Sequence, residues 1–272
     1  MNRRFSWFNA TSLTLGFAFL YLPIVILVIY SFNASKLVTV WGGFSTKWYG
    51  ELFGDQAFLD AAWVTLKVAL VSSTAATVLG TMAAYVLMRA GRFAGRTLFS
   101  GMIYAPLVMP EVILGLAMLL LFISIGLDRG VLTIILAHTT FTMCFVSVVV
   151  SSRLVTFDRS LEEAALDLGC TPFDAFLSVT LPIIAPAVIS GWLLAFTLSL
   201  DDLVISQFVA GPSSTTLPMK VFSSVRLGVN PQINALSTIL ISIVTIGVIT
   251  ASLVSKRQIA QQRADEQAAV RT

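Results

Sequence analysis

Long apolar runs dominate the hydrophobic pattern of this chain. The strands of a membrane barrel would alternate in polarity over about 10 residues, whereas these runs are continuous. A helix of about 20 apolar residues crosses the hydrocarbon of a bilayer, so the pattern predicts transmembrane helices. The qualifying stretches are residues 13–32, 62–88, 98–125, 131–151, 183–209 and 233–254. We therefore predict an all-α polytopic membrane protein with six transmembrane helices.

The composition agrees with a membrane protein and excludes several other classes. Of the 272 residues, 57% are hydrophobic and only 11% are charged, which is too few charges for the surface of a soluble domain. A soluble enzyme and a disordered chain are therefore excluded. The net charge of +3 does not indicate nucleic acid, because the 17 basic residues are spread around the apolar runs. The first run is longer than the core of a signal peptide, so we expect it to be retained as a helix.

The positive charges predict the orientation in the membrane. Six spans would place both termini on one side, and the loops on that side carry more lysine and arginine than the others. The basic residues of the first side are Arg3, Arg4, Arg89, Arg92, Arg96, Arg153, Arg159, Lys256, Arg257, Arg263 and Arg271. Those of the other side are Lys36, Lys47, Arg129, Lys220 and Arg226. Since cytoplasmic loops are rich in lysine and arginine, we expect both termini in the cytoplasm.

This topology suggests three regions along the chain. Residues 1–60 would form an N-terminal helix with the first periplasmic loop, and residues 61–255 the main transmembrane domain. Residues 256–272 would form a cytoplasmic tail. The predicted location is the inner membrane of a bacterium, with several passes.

The cytoplasmic connection between the fourth and fifth spans, residues 152–182, is long for a link between packed helices. Ser160 and Glu163 have the spacing of a capping box, and Gly169 stands where a left-handed helix end belongs. Thr171, followed by proline, can open a second short helix. The sequence thus predicts a helical hairpin, either resting on lipid headgroups or docking on a protein. The hairpin is not basic, which favours a protein partner.

The same hairpin resembles a known signature. Glu163-Ala164-Ala165, Gly169, Val179 and Leu181-Pro182 follow the pattern E-A-A-x3-G-x9-I-x-L-P of ABC-importer permeases, with valine in place of isoleucine at 179. The resemblance implies a type I permease fold over 61–255. It also implies that the first short helix is a coupling helix that docks on a cytoplasmic ATPase. The residues carried over to this coupling role are Glu162, Glu163, Ala164, Ala165, Asp167, Gly169, Leu181 and Pro182.

Other segments resemble permeases of polyamine importers in particular. They are residues 37–41, 48–52, 105–111, 196–202 and 228–231. This resemblance implies a non-catalytic subunit that moves polyamines, putrescine foremost and spermidine as a second possibility, by alternating access. The implied partners are a second permease, two ATPase subunits and a periplasmic polyamine-binding protein. ATP and magnesium would be bound by the ATPase subunits, and this chain would hold no cofactor or metal.

Three carboxylates fall inside predicted spans, where an ionisable group costs free energy and suggests function. Glu111, Asp201 and Asp202 could line a pathway for an organic cation, and neighbouring aromatic rings could add cation–π contacts. The aromatic candidates are Tyr85, Trp192 and Phe196. Structural roles compete with this hypothesis: Glu111 could cap a helix broken by the prolines before it, and Asp202 could pair with Lys67 or lie at the aqueous mouth. For the single histidine, His138, hydrogen-bonded packing is favoured over a proton relay.

Two other classes of function compete with an ATP-driven importer. The chain lacks the phosphate loop G-x-x-x-x-G-K-[ST], so an ATPase of that type must be a separate subunit. An ion-coupled secondary transporter of a small organic cation would be expected to have paired discontinuous helices. Here only the third predicted span is plainly interrupted by proline. An intramembrane enzyme is disfavoured because the chain has one histidine and neither H-E-x-x-H nor G-x-S-x-G.

Overall fold

The computed structural model describes residues 7–37, 40–228, 230–247 and 249–250, and these are mostly helical. Within those ranges the only extended pairing is an isolated bridge between Asn33 and Phe44, so the all-α prediction is confirmed. The helices are α1 (Trp7–Ser31), α2 (Lys47–Gly54), α3 (Gln56–Arg89), α4 (Arg96–Val108), α5 (Glu111–Ser124), α6 (Val131–Val155), α7 (Ser160–Asp167), α8 (Pro172–Ala175), α9 (Leu181–Asp201), α10 (Val204–Val209), α11 (Leu217–Leu227) and α12 (Pro231–Gly247).

Four helical stretches in the described part of the chain are long and apolar enough to cross a membrane: α1, α3, α6 and the stretch Pro172–Asp201. Helices α4 and α5, bent by 119° at the break between them, count as a fifth candidate span if the two are taken as one. The break consists of Met109 and Pro110 and comes after Pro106, which lies inside α4, so the predicted interruption of this helix is confirmed. The predicted sixth span, 233–254, begins within α12, but its end lies outside the described residues.

The fifth predicted span, 183–209, is wrong in two respects. Its helix begins earlier, because α8 runs through a π-helical turn, Phe176–Thr180, directly into α9. Pro182 lies in the first turn of α9, directly after this π-helical turn, where its missing N–H is tolerated. At the other end, the helix stops at Asp201, and α10 starts after a two-residue break. The helix within this apolar run is thus interrupted at Asp202 and Leu203, directly after Asp201.

The chain divides into two compact units, one of residues 57–223 and one formed by the flanking parts on either side. In the first unit, α6 packs along α9, and α5 packs on α10. The core near α5 and α10 consists of Val68, Leu114, Met118, Phe122, Ile134, Ala137, Phe141, Ile205 and Val209. The core nearer to the coupling loop consists of Ala76, Ala84, Val146, Val150, Leu154, Ile184 and Ala195.

Glycine lets α3 approach α6 closely in this second core. A Cβ at Gly80 would lie 2.7 Å from the carbonyl oxygen of Met143 and 2.9 Å from the Cβ of Val146. Such short separations mean that no larger residue fits there without a shift of backbone. The position of α3 against α6 therefore depends on this glycine.

In the flanking unit, Asn33 organises the loop that follows α1. Its amide nitrogen donates to the carbonyl of Val40 at 2.7 Å, and its amide oxygen accepts from the N–H of Gly42 at 2.7 Å. The indole of Trp48 donates to the carbonyl of Asn33 at 2.6 Å. These bonds hold the described part of the loop between α1 and α2 in one conformation.

Candidate coupling loop and intramembrane carboxylates

The first helix of the hairpin, α7, does not begin with the predicted capping box. The helix starts at Ser160, the preceding Arg159 makes no side-chain cap, and the Asp158 carboxylate accepts the N–H of Ser160 at 3.0 Å. Because Asp158 takes this bond, Ser160 lies inside the helix rather than at its cap. Donation from the backbone and the hydroxyl of Ser160 lowers the pKa of Asp158, so this carboxylate is charged at neutral pH.

The turn after α7 confirms the prediction for Gly169. Its φ is +91°, a conformation that favours glycine because other residues clash there. The Gly169 N–H donates to the carbonyl of Leu166 at 2.9 Å, and the next N–H donates to that of Ala165 at 3.1 Å. This is the pair of bonds of a Schellman motif. Thr171 then caps α8 as predicted, accepting the N–H of Asp174 at 3.2 Å.

Some of the predicted coupling residues of the hairpin are exposed, and others are buried or half-buried. The side chains of Glu163, Ala164 and Asp167 lie in the exposed part of α7, whereas Ala165 is buried. Large apolar side chains flank them: Leu161, Leu168 and Phe173, of which Leu168 is 87% exposed. Of the remaining candidates, Leu181 packs on the second core and Pro182 is exposed. We call the exposed set of Leu161, Glu163, Ala164, Asp167, Leu168 and Phe173 the coupling surface.

Glu162 differs from its neighbour Glu163, because it is bound within the chain. Its Oε2 lies 3.0 Å from the Nε of Arg89 at the end of α3, and the two side chains are only 13% and 10% exposed. Its Oε1 accepts the hydroxyl of Thr180 at 2.7 Å. The coupling role that the resemblance implies for Glu162 stays a prediction, and in the structure this side chain makes an internal contact.

Asp202 is the most buried of the three intramembrane carboxylates, at 8% exposure. It accepts the N–H groups of Ile205 at 3.2 Å and Ser206 at 2.8 Å, and so caps α10. Its Oδ2 also lies 3.1 Å from the Nε2 of His138. The suggested pairing with Lys67 is wrong, because Lys67 is exposed and the partner of Asp202 is the histidine.

His138 connects Asp202 to a buried chain of hydroxyl groups. Its Nδ1 lies 2.7 Å from the hydroxyl of Ser199, which is 3.0 Å from that of Ser72 on α3. His138 is 1% exposed, so its hydrogen-bonded packing is confirmed. Within the described ranges, no three His, Cys, Asp or Glu side chains are arranged to hold a metal ion.

The other two carboxylates are exposed in the described chain. Asp201 is the last residue of α9, beside the break, and Glu111 is the first residue of α5. Glu111 does not cap this helix, since Pro110 occupies the cap position and no side-chain bond is made there. Its charge is nevertheless favourable at a helix N-terminus, where the backbone dipole is positive.

The aromatic candidates divide between two places. Trp192 and Phe196 stack on α9 with ring centroids 5.2 Å apart, and the indole N–H donates to the Thr74 hydroxyl at 3.2 Å. Because a helix turns about 100° per residue, Asp201 points to the opposite side of α9 from Trp192. Tyr85 instead packs against Phe176, with centroids 4.9 Å apart, beside the coupling hairpin. The six predicted pathway residues therefore do not form one cluster.

Comparison with known proteins identifies the family. The family described as "Binding-protein-dependent transport system inner membrane component" matches residues 76–263, which is most of the chain. The chain belongs to this family of inner-membrane permeases. Members of the family are non-catalytic membrane components, so the chain is a permease subunit and not an enzyme.

Two relatives from Escherichia coli (strain K12) are similar over nearly their whole length. The putrescine transport system permease protein PotI is 61% identical over 240 residues, which cover 86% of this chain and 85% of PotI. The spermidine/putrescine transport system permease protein PotC is 42% identical over 244 residues, covering 90% of this chain and 92% of PotC.

Solved structures of ABC transporters have the same fold. A bacterial transporter involved in the import of the acidic polysaccharide alginate superposes with a TM-score of 0.71 at 19% identity, covering 91% of this chain and 94% of that one. The MetNI methionine transporter in an inward-facing conformation gives 0.59 at 19% identity, covering 71% and 92%. These likenesses confirm the predicted type I permease fold.

Proposed function

We propose that this chain is the permease subunit of an ATP-driven importer of polyamines, with putrescine as the preferred substrate and spermidine as a weaker one. The observation that carries the substrate assignment is the 61% identity to the putrescine permease PotI, against 42% to the spermidine/putrescine permease PotC. Both relatives align over most of this chain, so the proposal draws on the transmembrane region as well as the loop.

The proposed complex contains four kinds of protein besides lipid. This chain pairs with a second, different permease, two cytoplasmic ATPase subunits drive the pair, and a periplasmic binding protein delivers the polyamine. ATP and magnesium are bound by the ATPase subunits. The chain lies in the bacterial inner membrane with both termini in the cytoplasm, as the excess of lysine and arginine on that side favours.

The coupling surface is the proposed contact with an ATPase subunit. The bonds of Gly169 and Thr171 fix both ends of the turn between α7 and α8, which makes the hairpin rigid enough to transmit a displacement. Exposed Leu168 and Phe173 offer apolar area for docking, and exposed Glu163 offers a charge. Closure of the ATPase pair would move this hairpin and switch the pathway between outward-open and inward-open states.

The proposed pathway for the polyamine uses the exposed carboxylates. Asp201 and Glu111 can each replace water around an ammonium group, since a carboxylate accepts charge-assisted hydrogen bonds. The stacked pair of Trp192 and Phe196 offers apolar and cation–π contact on another side of α9. We assign Asp202 a supporting role, because two backbone N–H groups and the ring of His138 already contact its carboxylate.

Reconstitution in proteoliposomes tests this function. The complete assembly, with labelled putrescine on the binding-protein side and ATP on the ATPase side, should accumulate putrescine, and excess spermidine should compete only weakly. Glu163→Lys should abolish ATP-dependent uptake while the chain still inserts. Uptake that persists without ATPase subunits and follows an ion gradient would instead support a secondary transporter. Equal competition by spermidine would contradict the substrate preference.

A further inference from the structure

The cytoplasmic end of α3 contacts the coupling hairpin on both sides of α7. Arg89, the last residue of α3, pairs with Glu162 on α7 at 3.0 Å. Glu162 in turn accepts the hydroxyl of Thr180, in the π-helical turn before α9, at 2.7 Å. One carboxylate therefore ties the end of α3, 73 residues away in sequence, to two elements of the hairpin. We call Arg89, Glu162 and Thr180 the α3 clamp.

Neighbouring contacts reinforce the clamp. The guanidinium of Arg159, just before α7, donates to the carbonyl of Met88 at 2.7 Å. The ring of Phe157 lies 5.3 Å from the guanidinium carbon of Arg89, at cation–π distance. On the other side, Tyr85 packs against Phe176. The last turn of α3 is thus bound to the chain before, within and after α7.

Burial makes the ion pair of Arg89 and Glu162 sensitive to substitution. Arg89 is only 10% exposed, so its charge depends on Glu162 for compensation. Its Nη2 atom is buried and has no hydrogen-bond partner in the described part of the chain. Both oxygens of Glu162 face the Nε of Arg89, at 3.0 and 3.3 Å. A small shift of α7 along the guanidinium would allow the second, bidentate bond that this edge of arginine can form.

The helix α3 also reaches the buried network and the aromatic pair described above. Ser72 of α3 bonds to Ser199, which bonds to His138, and Thr74 of α3 accepts from Trp192. A displacement of α3 would therefore act directly on the part of α9 that leads to Asp201. A displacement of the hairpin could thus reach α9 through α3, as well as through the chain that joins the hairpin to α6 and α9.

We propose that the α3 clamp is a positioning device that makes α3 move together with the coupling hairpin. Glu162 then acts inside the permease and not as a contact with the ATPase. This inference rests on the proposed ATP-driven function. It assigns to Arg89 and Glu162 the transmission of motion, whereas the exposed coupling surface receives it.

The experiment uses the complete assembly in proteoliposomes and measures putrescine uptake and ATP hydrolysis in the same sample. Glu162→Gln keeps an oxygen for Thr180 but removes the charge that Arg89 requires. We expect this variant and Arg89→Gln to retain the ATPase subunits on purification and to hydrolyse ATP. Putrescine molecules moved per ATP should fall about fivefold or more, the range of a typical coupling energy. The double variant should be no worse than either single one.

Two further variants serve as controls. Arg92→Gln removes a positive charge from an exposed position three residues beyond Arg89, and its uptake per ATP should equal that of the unmodified chain. Arg89→Lys keeps the charge and should restore part of the ratio lost in Arg89→Gln. If Arg89→Gln does not accumulate in the membrane, the test of the α3 clamp is the putrescine moved per ATP in Glu162→Gln compared with Arg92→Gln.

Different results would overturn the inference and the proposed function. An unchanged ratio in Glu162→Gln, with the unmodified assembly transporting putrescine normally, would refute the clamp alone. Loss of the ATPase subunits from purified Glu162→Gln would also refute it, since that identifies Glu162 as a docking residue. Failure of the unmodified assembly to transport putrescine with ATP would instead refute the proposed function.

Discussion

Replacing Asp202 by alanine should destabilise the permease, because this carboxylate is a structural acceptor. In the native chain it accepts two backbone N–H groups at the start of α10 and lies beside His138. Alanine keeps the backbone but removes every one of these acceptor contacts. The ring of His138 would then lose one of its buried partners.

The magnitude follows from these contacts. Loss of a helix cap lowers stability by about 1 kcal/mol, and a buried donor left without its partner costs about 1–3 kcal/mol. We therefore expect Asp202→Ala to lower the free energy of unfolding by about 3 kcal/mol. Asp202→Asn keeps one acceptor oxygen, so its effect should be closer to about 1 kcal/mol.

Unfolding of the purified chain in mixed micelles, titrated with a denaturing detergent, measures this difference. Asp201→Ala is the matched control, because it removes the adjacent carboxylate from an exposed position. That control should unfold at nearly the same detergent fraction as the native chain. Equal stability of Asp202→Ala and Asp201→Ala would refute the assignment of Asp202 as a structural acceptor.

Three further predictions concern the turn, the helix contact and the pathway. Gly169→Val forces a β-branched residue into a left-handed conformation at a strain of about 1–2 kcal/mol, so putrescine uptake should be lost while the chain still inserts. Gly80→Ala should lower unfolding stability by about 1–3 kcal/mol, because its Cβ would meet the carbonyl of Met143 at 2.7 Å. Asp201→Asn should raise the putrescine concentration for half-maximal uptake about tenfold, the loss of one charge-assisted bond, without changing detergent stability.

Each of these has a control or an outcome that contradicts it. Normal putrescine uptake per ATP in Gly169→Val would disprove the need for the left-handed turn. Gly101→Ala is the matched control for Gly80→Ala, since no atom lies within 4 Å of its added Cβ; equal stability of the two variants would contradict the close helix contact. Unchanged uptake kinetics in Asp201→Asn would remove this carboxylate from the proposed pathway.

The features that the sequence predicted well are encoded within a few neighbouring residues. Gly169 and Thr171 mark the turn of the hairpin because a left-handed helix end and a side-chain cap each need particular residue types. The break after α4 was predictable from the two prolines near it. In each case the residues of a single turn are sufficient to predict the feature, and contacts with the rest of the fold are not needed.

The features that were missed depend on long-range pairing. Arg89 and Glu162 are 73 residues apart, and His138 and Asp202 are 64 apart. These side chains come into contact only through helix packing. No pattern among neighbouring residues therefore predicts the two pairs. The break at Asp202 was missed for a related reason. A carboxylate inside an apolar run suggests function, but only the neighbouring N–H groups and His138 reveal that it ends a helix.

Two pairs of adjacent acidic residues, Glu162-Glu163 and Asp201-Asp202, illustrate why neighbouring charges cannot be treated as a unit. On α7, adjacent side chains point about 100° apart, and α9 ends between the two aspartates. In both pairs, therefore, one member can face the interior while the other faces outward. Glu162 is bound to Arg89 while Glu163 is exposed, and Asp202 is bound to His138 while Asp201 is exposed. Changing both members together would therefore mix a loss of internal support with a loss of external contact. Only single substitutions can separate coupling from docking at the hairpin, or stability from substrate binding at the break.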